Sequence, residues 1–264
     1  MRQALTLSEA AGNVDDLHRA YFNLGVVLEL DAGRPHDALQ VTRQGLKRMR
    51  ELGLELALPR SLLRGALARQ LWNLGRWQEA EEVLSEELTR ELPAGWTLDW
   101  QLLAGRLHMA RGRIELANEH AKTAAYLADQ LVDPILDGCL QAYLAELATL
   151  QMDYPAARSA AVKALQHFAD SEQHADAIWL CRIGLRAEAD AAERAHDRRA
   201  TAAAVADIHA TGERLLTTAR QLLIQVGTNL PEATVQAAAC EAEFTRLELQ
   251  PDPQRWAAVV AGWD

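Results

Sequence analysis

Two sets of histidine residues have spacings that could serve metal binding. His167, Asp170 and His174 lie within one short segment, and imidazole and carboxylate groups are common zinc ligands. A helix break is expected between them, so we interpret them as polar residues of a surface loop. His108 and His120 fall on successive predicted helices and can face each other, but no carboxylate at the required spacing joins them. We therefore predict no metal site.

Motifs for nucleophilic catalysis and phosphate binding are missing from the sequence. It contains no H-E-x-x-H, no G-x-S-x-G, no paired Cys and His, and no G-x-x-x-x-G-K-[ST] loop. The adjacent acids Glu81-Glu82 and Glu86-Glu87 are expected on the solvated faces of helices. We predict that the chain is not an enzyme and that it carries no catalytic residue and no cofactor. An all-α enzyme would require a buried cluster of titrating carboxylates.

Composition and charge exclude several classes of protein. The formal net charge is −10 and the pI is about 5.3, whereas nucleic-acid-binding chains usually carry a basic surface. Cys139, Cys181 and Cys240 lie far apart, which favours free thiols in a reducing compartment over disulfides. No leader and no long apolar run is present. We predict a cytoplasmic protein without direct nucleic-acid or membrane contact.

Helical periodicity is clearest between residues 62 and 88. Residues 62–88 comprise two amphipathic segments that are separated by a break at Gly75, a residue that can adopt positive φ at a helix end. Apolar or small residues recur at steps of three and four, at Leu63, Ala66, Leu67, Leu71 and Leu74, and at Trp77, Ala80, Val83, Leu84 and Leu88. Helix-forming residues dominate the whole composition, so we predict an all-α fold.

The same helix pair recurs along the chain. Each predicted turn carries a marker residue, and a small residue follows the marker by five positions, where two helices can cross closely. The markers are Gly33, Gly75, Gly112 and Met152, and the small residues are Ala38, Ala80, Ala117 and Ala157. The alanines are 42, 37 and 40 residues apart. The pattern fades after residue 170.

We predict one helical-repeat domain, 1–264, that forms an α-α superhelix of roughly 12–13 helices. Residues 1–13 would be the end of a preceding pair. Four regular pairs are expected at 14–53, 57–91, 97–130 and 133–168. A longer, irregular pair would follow at 173–226. The final pair would lie at 231–264 and be cut in its second helix. Both ends of the array are therefore interpreted as truncated.

The spacing and residue types resemble the tetratricopeptide repeat. Asn23-Leu24-Gly25, the Gly-Arg-Trp at 75–77, and Ala20, Ala38 and Ala80 match its pattern of small and bulky positions. The period here is longer than the usual length of about 34 residues. The resemblance implies a solenoid of antiparallel helix pairs.

Three phrases resemble the repeat arm of large ATP-binding LuxR-type transcriptional regulators of actinobacterial type, of which the maltose-operon activator is a relative. They are GLRAEADAAERA at 184–195, LPEATVQAAACEAEFTRLE at 230–248 and PDPQRWAAVVAGWD at 251–264. In that family the arm lies between a nucleotide-binding switch and a helix-turn-helix DNA reader. Neither motif occurs here, so the resemblance implies the arm alone.

The first helices of successive pairs are expected to line a concave groove. On that face we predict binding residues at matching distances before the turns, namely Arg19, Phe22, Glu29, Arg69, Trp72, Arg106, Met109 and Glu146. Arg69 and Arg106 beside Trp72 and Met109 would suit an acidic or amphipathic ligand. Alternatively, Trp72 and Met109 belong to the core between repeats and the arginines are solvated.

Two functions fit these features. The first is a regulatory or scaffold arm that senses a protein, peptide or small effector in the groove and biases the attached ATPase and DNA-binding parts. The second is a stand-alone adaptor that holds a peptide in the groove. An apolar stripe of Trp256, Val259, Val260 and Trp263 also predicts self-association through exposed terminal helices.

Overall fold

The computed structural model describes residues 2–11, 13–54, 58–168, 174–227 and 230–262. Within these ranges the chain is all-α, and no β-strand is present. Its thirteen α-helices are α1 Arg2–Ala11, α2 Val14–Val26, α3 Pro35–Glu51, α4 Leu58–Asn73, α5 Trp77–Glu87, α6 Ala94–Ala110, α7 Ile114–Ala128, α8 Pro134–Leu150, α9 Tyr154–Phe168, α10 His174–Asp197, α11 Ala202–Val226, α12 Pro231–Leu247 and α13 Pro253–Ala261. A π-helical segment, Val27–Asp31, extends α2.

The helices stack as antiparallel pairs in a superhelical solenoid, as the sequence predicts. Pairs form between α2 and α3, α4 and α5, α6 and α7, α8 and α9, and α10 and α11. The first helix of each pair also contacts the first helix of the next pair, from α2 to α4 and onward to α12. This second set of contacts places the first helices side by side around an inner face.

The predicted turn markers adopt the conformation that the pairing requires. Gly75, Gly112 and Met152 have φ values of 71°, 69° and 62°, which a helix needs at its carboxyl end to reverse direction. After Gly75, the amide of Arg76 donates to the carbonyl of Leu71 at 2.8 Å, closing the helix end with a Schellman-type bond. Equivalent bonds follow Gly112 and Met152.

The small residues five positions after the markers lie where helices cross. Ala38, Ala80, Ala117 and Ala157 are each 0% exposed. A larger side chain at any of these positions would have to push two packed helices apart. The predicted crossing points are therefore correct.

The same turn geometry continues beyond residue 170, although the sequence pattern fades there. Arg199 and Leu249 have φ values of 52° and 57°, so non-glycine residues adopt the conformation that glycine has earlier in the chain. The amide of Ala200 donates to the carbonyl of Ala195 at 2.9 Å, again a Schellman-type bond. After this turn α11 begins at Ala202, behind the capping side chain of Thr201.

Close packing between repeats depends on tyrosine and glycine in two neighbouring first helices. Tyr143 of α8 is fully buried, and its hydroxyl donates a 2.7 Å hydrogen bond to the carbonyl of Ala117. A Cβ at Gly105 of α6 would overlap the Tyr143 ring and hydroxyl. The absence of a side chain at Gly105 thus allows the tyrosine to cross between α6 and α8.

The later repeats come back towards the first one. Helix α12 contacts the π-helical segment that extends α2, and a Cβ placed on Gly33 would lie 3.6 Å from the ring of Pro231. Residues of the first repeat and of α12 therefore border one inner space.

Helix α13 covers part of its predicted apolar stripe by packing on α12. Val259 is buried against Val235 and Ala239, and Trp256 packs at the edge of the same cluster. The expectation of an exposed stripe therefore fails for Trp256 and Val259, while Val260 is 61% exposed. Trp263 lies outside the described residues.

The three cysteines are free thiols. Cys181 and Cys240 are buried, as predicted, whereas Cys139 is only partly covered. Burial raises the pKa of Cys139 to about 11. Its thiol therefore stays protonated at neutral pH, as expected for a packing residue.

Candidate functional site

The inner face of the superhelix contains a cavity of about 640 Å³. Residues of α2, α4, α6 and α8 and of the loops before α6 and α8 line it, so four successive first helices build its wall. Its principal side chains are Phe22, Arg69, Trp96, Asp99, Trp100 and Asp133. Cavities of this size and composition hold small ligands or side chains of a bound segment.

Aromatic rings form the apolar part of the wall. Trp96 and Trp100, one turn apart on α6, have ring centroids 6.4 Å apart. Trp100 is 3% exposed and lies directly against Gly65 of α4, where a Cβ would overlap the indole. Gly65 therefore allows the indole to sit deep between two repeats, while Trp96 remains partly exposed towards the cavity.

Arg69 lies at the border between the aromatic cavity and a group of carboxylates. Three acidic residues interact electrostatically with it: Glu29 beside α2, Asp176 on α10 and Glu232 on α12. Among the described residues no carboxylate forms a direct ion pair with Arg69. Four distant parts of the sequence thus bring one cation and three anions together.

The surroundings of Glu29, Asp176 and Glu232 disfavour the charged forms of their carboxyl groups. Burial raises the pKa of Glu29 and of Asp176 from their ordinary values, and the positive charge of Arg69 opposes this effect. Burial also raises the pKa of Glu232, and the negative charges of Asp176 and Glu29 raise it further. One arginine therefore does not compensate three converging carboxylates.

Glu29 has a fixed position within the group. Asn73, at the end of α4, donates a 2.8 Å hydrogen bond from its amide to Glu29 Oε1. Gln70 of the same helix also hydrogen-bonds this carboxylate, and the Gln70 side chain is almost fully buried. The carboxylate of Glu29 is consequently held against α4 and cannot turn away from its neighbours.

Arg106, which the repeat makes equivalent to Arg69, has a closed environment. Its Nε donates to Glu146 Oε2 at 3.2 Å, and its guanidinium lies 5.1 Å from the centroid of Trp179 and 5.9 Å from that of Tyr143. Burial alone would lower the pKa of Arg106, but the charge and hydrogen bond of Glu146, together with Cys139 and Asp99, raise it. Arg106 and Glu146 therefore join α6 to α8.

The other predicted groove residues are dispersed. Arg19 is exposed on α2, and Phe22 lines the cavity. Trp72 stacks on Trp77 at 5.3 Å and packs against the core. Met109 is buried in the core between α6 and α8, so in this structure it packs between repeats and does not line the cavity.

Sequence reasoning missed Trp96, Trp100, Asp176 and Glu232. Trp96 and Trp100 fall in the first turns of α6, which begins at Ala94 and not near Asp99 as the sequence suggests. Asp176 and Glu232 lie in the part of the chain where the repeat marker is not glycine. A search for carboxylates in the first turns of first helices would have found both.

The predicted pair of histidines is present. His108 and His120 stack with centroids 5.1 Å apart, and burial lowers the pKa of both rings. His167 lies 2.9 Å from Asp137, and Asp170 lies outside the described residues. Among the residues that the structure describes, no three His, Cys, Asp or Glu side chains are grouped so as to hold a metal ion.

No helix within the described ranges has both the length and the apolar composition that crossing a bilayer requires.

Comparison with known proteins establishes the fold and no closer relationship. No protein-family profile matches the chain, and no curated protein sequence matches it. A crystal structure of kinesin light chain TPR-like repeats from Podospora anserina is similar with a TM-score of 0.51 and 17% identity, over 74% of this chain and 94% of that chain. BtubC (BKLC) from P. vanneervenii is similar with a TM-score of 0.51 and 15% identity, over 85% of this chain and 91% of that chain. The chain therefore has a tetratricopeptide-like helical-repeat fold.

Proposed function

We propose that this protein is a scaffold whose inner face binds a segment of a partner protein. The observation that supports the proposal is the cavity of about 640 Å³, with Phe22, Trp96 and Arg69 open to it. Solenoids of helix pairs present extended concave surfaces of this kind, and exposed aromatic side chains are frequent anchors in protein interfaces. The described residues contain no group of three His, Cys, Asp or Glu side chains placed to hold a metal ion.

We further propose that the scaffold is the sensor arm of a LuxR-type transcriptional regulator. The support is the resemblance of residues 184–195, 230–248 and 251–264 to such arms. A partner or inducer on the inner face would bias an attached nucleotide switch, which requires different affinities for the two states of the switch. Sequencing the gene on both sides should then reveal a nucleotide-binding part upstream and a DNA reader downstream in one reading frame, and a gene without them would overturn this proposal.

A site-specific photo-crosslinking experiment tests the scaffold function. A benzophenone amino acid is placed at Trp96 in the cavity or, as the control, at Tyr126, which is 70% exposed on the second helix α7. Irradiation in cells of the source organism should give one discrete adduct from position 96 and none from position 126. Mass spectrometry identifies the crosslinked segment, which is then synthesised and titrated against the purified chain.

Two results would contradict the scaffold function. Adducts of the same kind from both positions would mean non-specific contact with the surface. A crosslinked segment whose synthetic form does not bind the purified chain would mean that the cavity is not the binding site.

A further inference from the structure

Among the residues that the structure describes, negative charge exceeds positive charge at this part of the inner face. Glu29, Asp176 and Glu232 converge on Arg69, and Asp99 lines the adjoining cavity. Arg106, which is close by, does not compensate them because it is already paired with Glu146. Asp133 also lines the cavity, but its carboxylate caps α8 by accepting from the amides of residues 135 and 136.

The charges and the aromatic wall adjoin each other across Arg69. Phe22, Trp96 and Trp100 line the same cavity as Arg69, and Arg69 also interacts electrostatically with the three carboxylates. Aromatic faces attract cations, and carboxylates that are partly removed from water do so more strongly. The combination therefore favours a ligand with apolar groups and positive charges side by side.

We propose that the inner face binds a basic, amphipathic segment of a partner protein, with apolar side chains between Phe22 and Trp96 and a lysine or arginine among Glu29, Asp176 and Glu232. This inference rests on the proposed scaffold function and specifies the chemistry of its partner. The sequence suggests an acidic ligand because Arg69 and Arg106 were expected to face it. In the structure Arg106 is paired with Glu146, and Arg69 interacts with three carboxylates, so the expected charge of the ligand changes from negative to positive.

The position of the carboxylates gives such a ligand a structural effect. Glu29 belongs to the first repeat, Asp176 to α10 and Glu232 to α12, close to the contact between Gly33 and Pro231. A cation among the three removes the repulsion between the first repeat and α12. Binding of a basic segment therefore strengthens the contact between these parts of the superhelix.

Fluorescence titration with three synthetic peptides tests the proposal. Each peptide has about ten residues, with leucine and tryptophan on one face, and the other face carries lysine, glutamine or glutamate. The full chain is compared with an inner variant, Glu29→Gln, Asp176→Asn and Glu232→Gln, and with an outer control variant that loses the same three charges from exposed positions. The control substitutions are Glu115→Gln, Asp129→Asn and Glu213→Gln.

The lysine peptide should bind the outer variant almost as tightly as the wild type, because the three charges removed there are exposed and lie away from the inner face. The inner and outer variants have the same net charge, so long-range attraction to the acidic chain does not distinguish them. The inner variant should bind it at least about tenfold more weakly, since each close charge pair contributes about that factor. The glutamate peptide should not bind. Circular dichroism confirms that both variants keep their helical content.

Three outcomes would overturn the inference: binding of the glutamate peptide at least as tight as that of the lysine peptide, equal weakening in the inner and outer variants, or no binding of the lysine peptide. The failure of the scaffold function itself is distinguishable. If crosslinking at position 96 recovers an acidic segment that binds the purified chain, the scaffold function stands and the basic partner is wrong.

Discussion

Arg69 and Arg106 occupy the same place in successive repeats, yet their surroundings differ. Both lie six residues before a turn glycine and on the first helix of a pair. Arg106 has a carboxylate partner, two aromatic rings over its guanidinium and a side chain that is only 19% exposed. Arg69 has three carboxylates at longer range and lines an open cavity.

The two arginines occupy equivalent repeat positions, but Arg106 has a structural role and Arg69 is available for binding. Arg106 joins α6 to α8, and similar pairs join other helices, such as Arg158 with Glu188, whose two hydrogen bonds are both 2.6 Å long. Arg69 forms no direct ion pair with another residue in the described part of the chain. A repeat position therefore predicts where a side chain points, while the residues around it decide what that side chain does.

The largest effect on stability is expected at Arg106. Arg106→Met leaves the partly buried Glu146 without its ion-pair partner and should lower the free energy of unfolding by about 2–3 kcal/mol, as measured by urea denaturation. The double variant Arg106→Met and Glu146→Leu should recover most of the loss, because no unpaired charge remains. If the single variant is as stable as the wild type, Arg106 has no structural role.

Tyr143→Phe should have a smaller effect in the same region. The substitution removes the buried hydroxyl that donates to the carbonyl of Ala117, which then keeps only its hydrogen bond within α7. The expected loss is about 1–2 kcal/mol in urea denaturation. Tyr126→Phe on the exposed face of α7 is the matched control and should change nothing. Equal effects of the two substitutions would contradict the packing described for α6 and α8.

Removing the carboxylate charges around Arg69 should raise the free energy of unfolding, whereas the substitutions at Arg106 and Tyr143 should lower it. Their pKa values in the folded chain lie above the unfolded values, so their negative charges destabilise the fold at neutral pH and the effect disappears as they are protonated. The inner triple variant should therefore be more stable than the wild type by roughly 1 kcal/mol at pH 7, a value reduced for solvent screening. The difference should shrink as the pH falls towards 4. A wild type that is more stable than the variant at pH 7 would mean that the carboxylates are well compensated.

Arg69→Gln is expected to have the smallest effect on stability. Arg69 forms no direct ion pair with a described residue, so its loss should change the free energy of unfolding by no more than about 0.5 kcal/mol at pH 7. The same change should raise the pKa values of the neighbouring carboxylates further, which NMR titration of the carboxyl carbons measures. A large loss of stability would place Arg69 in the same class as Arg106.

The fold was predictable because two simple requirements repeat along the chain. A helix must reverse at each pair, which Gly75 and Gly112 achieve by positive φ, and packed helices need a small residue at their crossing, as at Ala80 and Ala117. Arg199 adopts the same conformation without glycine, so the sequence pattern ends before the repeat does. The turn at Arg199 consists of exposed residues and is closed by the hydrogen bond from Ala200 to Ala195, so a glycine is not required to form it.

The candidate site was predictable only in part. Arg69, Phe22 and Glu29 lie on the inner face as expected, because their position follows from helical periodicity. Asp176 and Glu232 join them only because the superhelix curves back on itself, and the sequence gives no measure of that curvature. Because the curvature of the superhelix could not be predicted, the sequence suggested an acidic ligand and the structure favours a basic one.

The central claim is that Arg69 belongs to a binding surface and Arg106 to the structural core. Calorimetric titration of the lysine peptide into the wild type, Arg69→Gln and Arg106→Gln tests it directly, below the unfolding temperature of all three proteins. Arg69→Gln should bind about tenfold more tightly than the wild type, since a repelling charge has been removed, and Arg106→Gln should bind with unchanged affinity. Unchanged or weaker binding by Arg69→Gln, or an equal change in both variants, would contradict the claim.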